Sequence, residues 1–346
     1  MNKDKKEKLL LPACSCMTLT SKSGKHYWFR TCDIETDIWS NGAHVTEQER
    51  GREIIYCDGK REYSKYSFIG MTYNALDTWI LDGVNECGLA GGLLLLYEGT
   101  SVEKAEEGQI GYVGMELVTK MLSSCKDIDD VMELVKQVQI LHIPVGEEEV
   151  EAAMHYFFVD KKGNELILEA ADKAQPGRLK EYKKGETLGV MTNSPPYQEQ
   201  LQNLAWFLSQ SWEMKQDLNG QAITEIFLDG RSVKADENAK HLSLTGTFPA
   251  SYSSYDRFIR LSVLKYLNDS GNCFEDEKML ALGSGIMNTV CEPHTKGIFH
   301  YTKMDSDGKI VGQKDSYTQY LSMYDMEEKV FFQKMHDRIS WEKYAL

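Results

Sequence analysis

Cys14 is followed by Arg30 and Asp33 at distances that one β-hairpin would fold back onto it. Residues 14–20 (CSCMTLT) read as a strand, 21–24 (SKSG) as a turn and 25–30 (KHYWFR) as a returning strand. A turn centred between Lys22 and Ser23 pairs residue 14 with residue 31 and predicts a thiol, a guanidinium and a carboxylate within side-chain reach of one another. A permanent positive charge draws a thiol pKa down from about 8.5, and the thiolate is the nucleophile. The hairpin therefore reads as half of a covalent-catalysis site. A plainer description also fits: Cys14, Cys16 and Cys32 as small buried hydrophobes, with Arg30 and Asp33 as an ordinary ion pair.

Composition narrows the chemistry. The 346 residues carry 39 basic and 53 acidic side chains, a net charge of −14, with no basic stripe to track phosphates, so nucleic acid is not an expected partner. Cysteines at 14, 16, 32, 57, 87, 125, 273 and 291 form neither a disulfide framework nor a CxxC pair. The eight histidines make no HExxH or His-x-His motif. No metal and no cofactor is expected. No apolar run approaches the ~18 residues of a membrane span, and the charged start MNKDKKEK is followed only by Leu9, Leu10 and Leu11. The stretch from Leu11 to Cys14 resembles the end of a lipoprotein cleavage site but lacks the hydrophobic region in front of it. The expectation is a bacterial cytoplasmic protein without membrane insertion or a lipid on Cys14.

The elements that must position these residues run strands, helices, strands. After the hairpin come strands at 66–71 and 79–81, a turn at Asp82 and Gly83, and a continuously apolar strand, 93–97, of the kind covered on both faces. Helices follow at 114–124 and from Asp129, where Val131, Leu134, Val135 and Val138 share a face. A hairpin joins 155–159 to 165–168, and Leu201, Leu204, Ala205 and Leu208 mark a third helix, with a fourth at 257–267. The C-terminal part returns to strands at 298–301, 320–323 and 329–333, with a turn at 305–308. No repeat, linker or low-complexity block divides the chain. Strands from both chain ends around central helices predict an α/β (α+β) sandwich with helices outside.

A family resemblance rests on four groups of residues in order: Cys14 with Arg30 and Asp33; residues 82–89 (DGVNECGL); 189–195 (GVMTNSP); and 256–260 (DRFIR). In order and spacing they resemble the choloylglycine hydrolase family, which contains penicillin V acylases and conjugated bile salt hydrolases. The likeness runs from about residue 13 to 335 and includes 318–320 (TQY) and 329–333 (KVFFQ). It implies an N-terminal nucleophile hydrolase with a four-layer αββα fold, often a homotetramer. Residues 1–13 would then be a propeptide or leader and 14–346 a single domain.

The resemblance implies roles as well. Cys14 would be the nucleophile and, once residues 1–13 are removed, its α-amino group, of ordinary pKa about 7.7–8.0, would be the base. Arg30 would support the thiolate and Asp33 would orient the amine. Asn193 would donate to the developing oxyanion, an interaction whose loss costs about 2.7–4 kcal/mol in other hydrolases. Arg257 would organise the charges. Leu95 stands where bile salt hydrolases typically carry Asn and penicillin V acylases Tyr; a leucine offers only its backbone N–H there. A two-residue slip would put Tyr97 at that place, and both residues are candidates for the acyl pocket.

The leading expectation is hydrolysis of a linear, non-peptide C–N amide in a small molecule through a Cys14 thioester, penicillin V acylase-like, with an aromatic or fatty acyl donor. Conjugated bile salt hydrolysis is the alternative within the class. An inactive binding protein retaining the fold is the alternative outside it. Residues 199–255 form a long polar stretch in which the family carries an assembly excursion, so a homo-oligomer, a tetramer, is expected.

Overall fold

Alternating and continuous apolar runs become the strands of two stacked antiparallel sheets in the computed structural model. It describes residues 13–34, 38–73, 76–145, 148–150, 153–210, 221–239, 248–271, 274–294, 300–304 and 310–346. In chain order the strands of the two sheets are β1 (Ala13–Thr20), β2 (His26–Ile34), β3 (Val45–Gln48), β4 (Phe68–Tyr73), β5 (Leu76–Asn85), β6 (Leu89–Leu96) and β7 (Ala153–Asp160). They continue as β8 (Glu165–Glu169), β9 (Lys180–Lys183), β10 (Val190–Thr192), β11 (Tyr317–Asp325), β12 (Val330–Met335) and β13 (Glu342–Ala345). The helices are α1 (Leu117–Ser124), α2 (Ile128–Val135), α3 (Tyr197–Ser209), α4 (Ser254–Gly271) and α5 (Met279–Asn288).

One sheet has the order β10-β1-β2-β11-β12-β13 and gathers both chain ends; the other is a meander, β9-β8-β7-β6-β5-β4-β3. Helices α4 and α5 lie on the outer face of the first sheet, with α3 against α4, and α1 and α2 lie on the second. The result is the four-layer αββα sandwich. Strand β6 is buried along its whole length because a sheet covers one face and a helix the other. The sheets approach closely there: a Cβ on Gly92 would lie 2.8 Å from the Trp28 ring.

Several boundaries differ from the sequence expectation. Asp82 and Gly83 are inside β5, and the chain reverses at 86–88 instead, where the Asn85 Oδ1 accepts from the backbone N–H groups of Cys87 and Leu89. Val138 has left the helical face of α2 and pairs with Ile110 in a small parallel ribbon. Residues 114–116 form a 3-10 turn ahead of α1. Residues 298–299 and the turn at 305–308 lie outside the described residues. Within 199–255, described residues include α3 and a two-stranded ribbon, Glu225–Leu228 with Arg231–Lys234. Among the described residues no helix is long and apolar enough to cross a membrane.

The first hairpin carries the most consequential difference. Its loop is Lys22-Ser23-Gly24, closed by Ser21 N–H to Lys25 O and Gly24 N–H to Ser21 O, with Gly24 at φ +88°. That is a three-residue loop with a glycine bulge. The odd loop length sets Cys14 opposite Cys32, not residue 31. A one-residue change of register moves side chains to the other face, so Cys14, Arg30 and Cys32 face the second sheet while Asp33 faces α4.

Candidate active site

The thiol and Arg30 meet between the sheets. Arg30 Nη2 lies 3.2 Å from Cys14 Sγ and 3.1 Å from the Leu93 carbonyl of β6. Arg30 Nη1 donates to Asp82 Oδ2 and, at 3.0 Å, to the Tyr320 hydroxyl. Asp82 in turn accepts from Tyr320 at 2.6 Å and from Tyr324. Arg30, Asp82 and both tyrosines are buried, so the cation is matched by one carboxylate and hydroxyl dipoles. Removing one member of such a buried pair costs about 3–5 kcal/mol because the partner's charge remains.

Burial pushes a thiol pKa up, but at Cys14 a hydrogen bond from the Cys32 thiol, the charge and hydrogen bond of Arg30 and the Asp33 backbone N–H outweigh it. The Cys14 pKa falls to about 6. Cys16, two residues along the same buried face, goes the other way, its thiol pushed far up by burial. A single thiol on this face is thus poised as thiolate near neutral pH.

On the opposite face of β1 and β2, Arg257 gathers the remaining candidates. Its Nη1 donates to the Cys14 carbonyl at 2.7 Å and to Ser15 Oγ at 2.5 Å, and its Nη2 to Asn193 Oδ1 at 3.0 Å. The same guanidinium lies 3.6 Å from Asp33 Oδ2. Asp33 also accepts from Thr31 at 3.2 Å and from Thr318. Burial and the nearby Glu292 push its carboxyl well above the usual range, against Arg257 and the Thr318 hydrogen bond. The thiol and the Asp33 carboxylate are therefore not neighbours on one face. Arg257 links them, its guanidinium reaching both the Asp33 carboxylate and the Cys14 carbonyl.

Asn193 follows β10 and reaches the Cys14 main chain. Its Oδ1 accepts the Cys14 N–H at 2.5 Å, and its Nδ2 donates to the Leu95 carbonyl at 3.2 Å. The Asn193 carbonyl is held by Gln200 Nε2 at 3.1 Å and Ser254 Oγ at 2.9 Å, from α3 and α4. Glu169 accepts the Tyr197 N–H at the start of α3, at 2.9 Å, a carboxylate at a helix N-terminus. His155 Nδ1 lies 3.0 Å from the same Glu169 oxygen. This buried pair fixes the helix that follows the Asn193 loop.

Leu95 is buried in the core, and the contact its main chain makes with Asn193 is through the carbonyl. Tyr97 lies just past β6, 48% exposed, its N–H bonded to Ser194 Oγ at 2.7 Å. Sequence reasoning assigned no role to Asp82, Tyr320, Tyr324, Thr318 or Cys32. Tyr320 and Tyr324 stand four apart on a strand and so on one face, a period-two signal that marks them as a pair. No sequence signal places Asp82 against Arg30, 52 residues away. Among the described residues no group of His, Cys, Asp and Glu is arranged to hold a metal ion.

Residues 14–346 match the family model of the linear amide C–N hydrolases, choloylglycine hydrolase family. Over 315 residues the chain is 25% identical to a bile salt hydrolase/transferase of Clostridium perfringens, covering 85% of this chain and 90% of that protein. It is 23% identical over 252 residues to a conjugated bile acid hydrolase of Lactobacillus gasseri, covering 68% of this chain and 75% of that one. The fold superposes on a mutant conjugated bile acid hydrolase from Clostridium perfringens with a TM-score of 0.73 at 20% identity, over 96% of this chain and 92% of that one. A penicillin V acylase from Agrobacterium tumefaciens gives 0.67 at 18% identity, over 96% and 86%.

Proposed function

The chain belongs to the choloylglycine hydrolase family of linear amide C–N hydrolases, and from that premise we propose that Cys14 is the nucleophile that takes up the acyl group as a thioester. The observation that carries the reading is the Arg30 guanidinium 3.2 Å from the Cys14 sulfur, in a site that favours the thiolate.

In this reading residues 1–13 are a leader and 14–346 the working domain. Removal of the leader turns the Cys14 N–H into an α-amine, held where Asn193 Oδ1 and the Arg257 network already grip it. The amine takes the thiol proton, the thiolate attacks the amide carbonyl, and the same amine returns the proton to the departing nitrogen. Asn193 Nδ2 serves the oxyanion of the tetrahedral intermediate. Asp33, on the helix-facing side with Arg257, orients the amine. Water then releases the acid from the thioester by the same steps in reverse.

The acyl donor is an apolar one, aromatic or fatty as in penicillin V, with Tyr97 beside the Asn193 loop as its contact. Leu95, packed in the core, acts through its main chain. Glycine- or taurine-conjugated bile acids are the second reading, favoured by the names of the two curated relatives. A cytoplasmic homotetramer completes the proposal.

The test is the intact mass of the purified wild type beside Cys14→Ala, followed by rates on penicillin V and glycocholate. The expected wild type begins at Cys14 and hydrolyses at least one of the two amides, with penicillin V preferred, while the variant keeps residues 1–13. A wild type that keeps its leader and turns over neither amide would overturn the mechanism and leave a binding protein. A clear preference for glycocholate would select the second reading.

A further inference from the structure

Cys32 stands directly across the strand pair from Cys14, and the hydrogen-bond ladder defines what kind of pair this is. Ser21 N–H bonds to Lys25 O at the loop, so that pair is hydrogen-bonded. Antiparallel pairs alternate; Leu19 with Tyr27, Met17 with Phe29 and Ser15 with Thr31 are then hydrogen-bonded, and Cys14 with Cys32 is not. Two backbone N–H groups agree, since those of Cys14 and Thr18 point away from β2, to Asn193 Oδ1 and to the Gly189 carbonyl. In a non-hydrogen-bonded pair the Cα atoms are about 4.5 Å apart and the side chains closest. A disulfide needs about 4.4–6.8 Å.

The competing thiol is Cys16. It lies two residues along the same strand, a Cα spacing of about 6.4–6.8 Å with parallel side chains, and its cross-strand partner is Arg30. Cys32, by contrast, is the residue directly opposite Cys14, with its side chain on the same face of the strand pair.

We propose that Cys14 and Cys32 form a redox dithiol: when a peroxide oxidises Cys14, Cys32 closes on it as a cross-strand disulfide, which switches the enzyme off reversibly and spares the nucleophile irreversible oxidation. The Cys14 thiolate attacks the O–O bond, giving a sulfenic acid and hydroxide. The Cys32 thiol then attacks that sulfur; the S–O bond breaks, its oxygen leaves as water, and the two thiols have given two electrons to the peroxide. A dithiol reductant restores both thiols by exchange. The inference rests on Cys14 being the reactive thiolate of the proposed mechanism.

The test treats the purified full chain with hydrogen peroxide, blocks residual thiols and maps tryptic peptides without reduction; Lys22, Lys25 and Arg30 separate the two cysteines. A Cys14–Cys32 cross-linked peptide is expected, with amidase activity lost and then regained in dithiothreitol. In Cys32→Ser the same dose should drive Cys14 to the sulfinic acid, which dithiothreitol does not reverse. Wild-type Cys14 found as sulfinic acid without the cross-link, or joined to Cys16, overturns the proposal. If Cys32→Ser does not fold, Cys32→Ala makes the same comparison and the wild-type peptide map decides by itself. The map is read by mass alone, so a cross-linked protein that hydrolyses no amide would refute the amidase reading and leave the dithiol standing.

Discussion

Arg30 does two things that pull against each other: it is fully buried, which disfavours a charge, and, after the Cys32 thiol, its charge and hydrogen bond are what draw the Cys14 pKa down. Asp82 resolves the conflict by neutralising Nη1 while Nη2 stays on the sulfur. Replacing the guanidinium by a neutral amide, Arg30→Gln, should therefore raise the alkylation midpoint of Cys14 from about 6 toward or above the ordinary thiol value. The thiolate fraction at pH 7 would fall from about nine-tenths to about 3%, a roughly thirty-fold loss in the iodoacetamide rate. An unchanged midpoint would mean that Cys32 and the Asp33 N–H suffice. Cys14, Arg30 and Asp33 were legible as candidates from type and hairpin spacing, whereas Asn193 and Arg257 stood out only through the family resemblance of the motifs around them. The partner that makes Arg30 tolerable was not legible, because a buried ion pair leaves no local pattern.

At the scale of elements, the three-residue loop at 22–24 decides which side chains share a face, and a buried polar cluster anchors the same strand further along. Thr18 of β1 donates to Glu165 of β8 at 2.6 Å, and Lys265 of α4 lies 3.3 Å from the Thr18 hydroxyl and 2.8 Å from Asp229. Burial and Asp229 push the Glu165 carboxyl up to about 7, against Lys265 and hydrogen bonds from Thr18 and Thr187. The folded carboxyl thus keeps its proton to higher pH than an unfolded glutamate, whose ordinary value is 4.5. Its contribution to stability is complete below that value and is lost as pH rises through about 7. Glu165→Gln should accordingly show a smaller fall in Tm between about pH 5 and 7.5 than wild type. Equal slopes would show that Glu165 does not titrate in this window. Strand and helix existence followed from hydrophobic period, whereas the loop length that sets register turned on a single glycine, Gly24, at positive φ.

For the whole molecule, the ribbon Glu225–Leu228 and Arg231–Lys234 alternates buried and exposed residues, leaving Phe227 60% exposed. If the proposed tetramer uses this excursion, Phe227→Glu should lower the mass seen by light scattering while the far-ultraviolet spectrum stays unchanged; an unaltered mass would place the interface elsewhere. By itself the sequence determined the family and the sandwich class and offered Cys14 and its charged companions as candidates, because residue type, order and hydrophobic period are properties of the chain alone. Only the tertiary structure decided that Cys14 shares its face with Arg30 and Cys32 while Asp33 and Arg257 work from the other side. It alone brought Asp82 and Tyr320 to the guanidinium and Tyr324 to Asp82, from 52, 290 and 294 residues away counted along the chain from residue 30. The physical reason is that register depends on one loop residue and burial of a charge on partners far along the chain, and neither is written in local pattern.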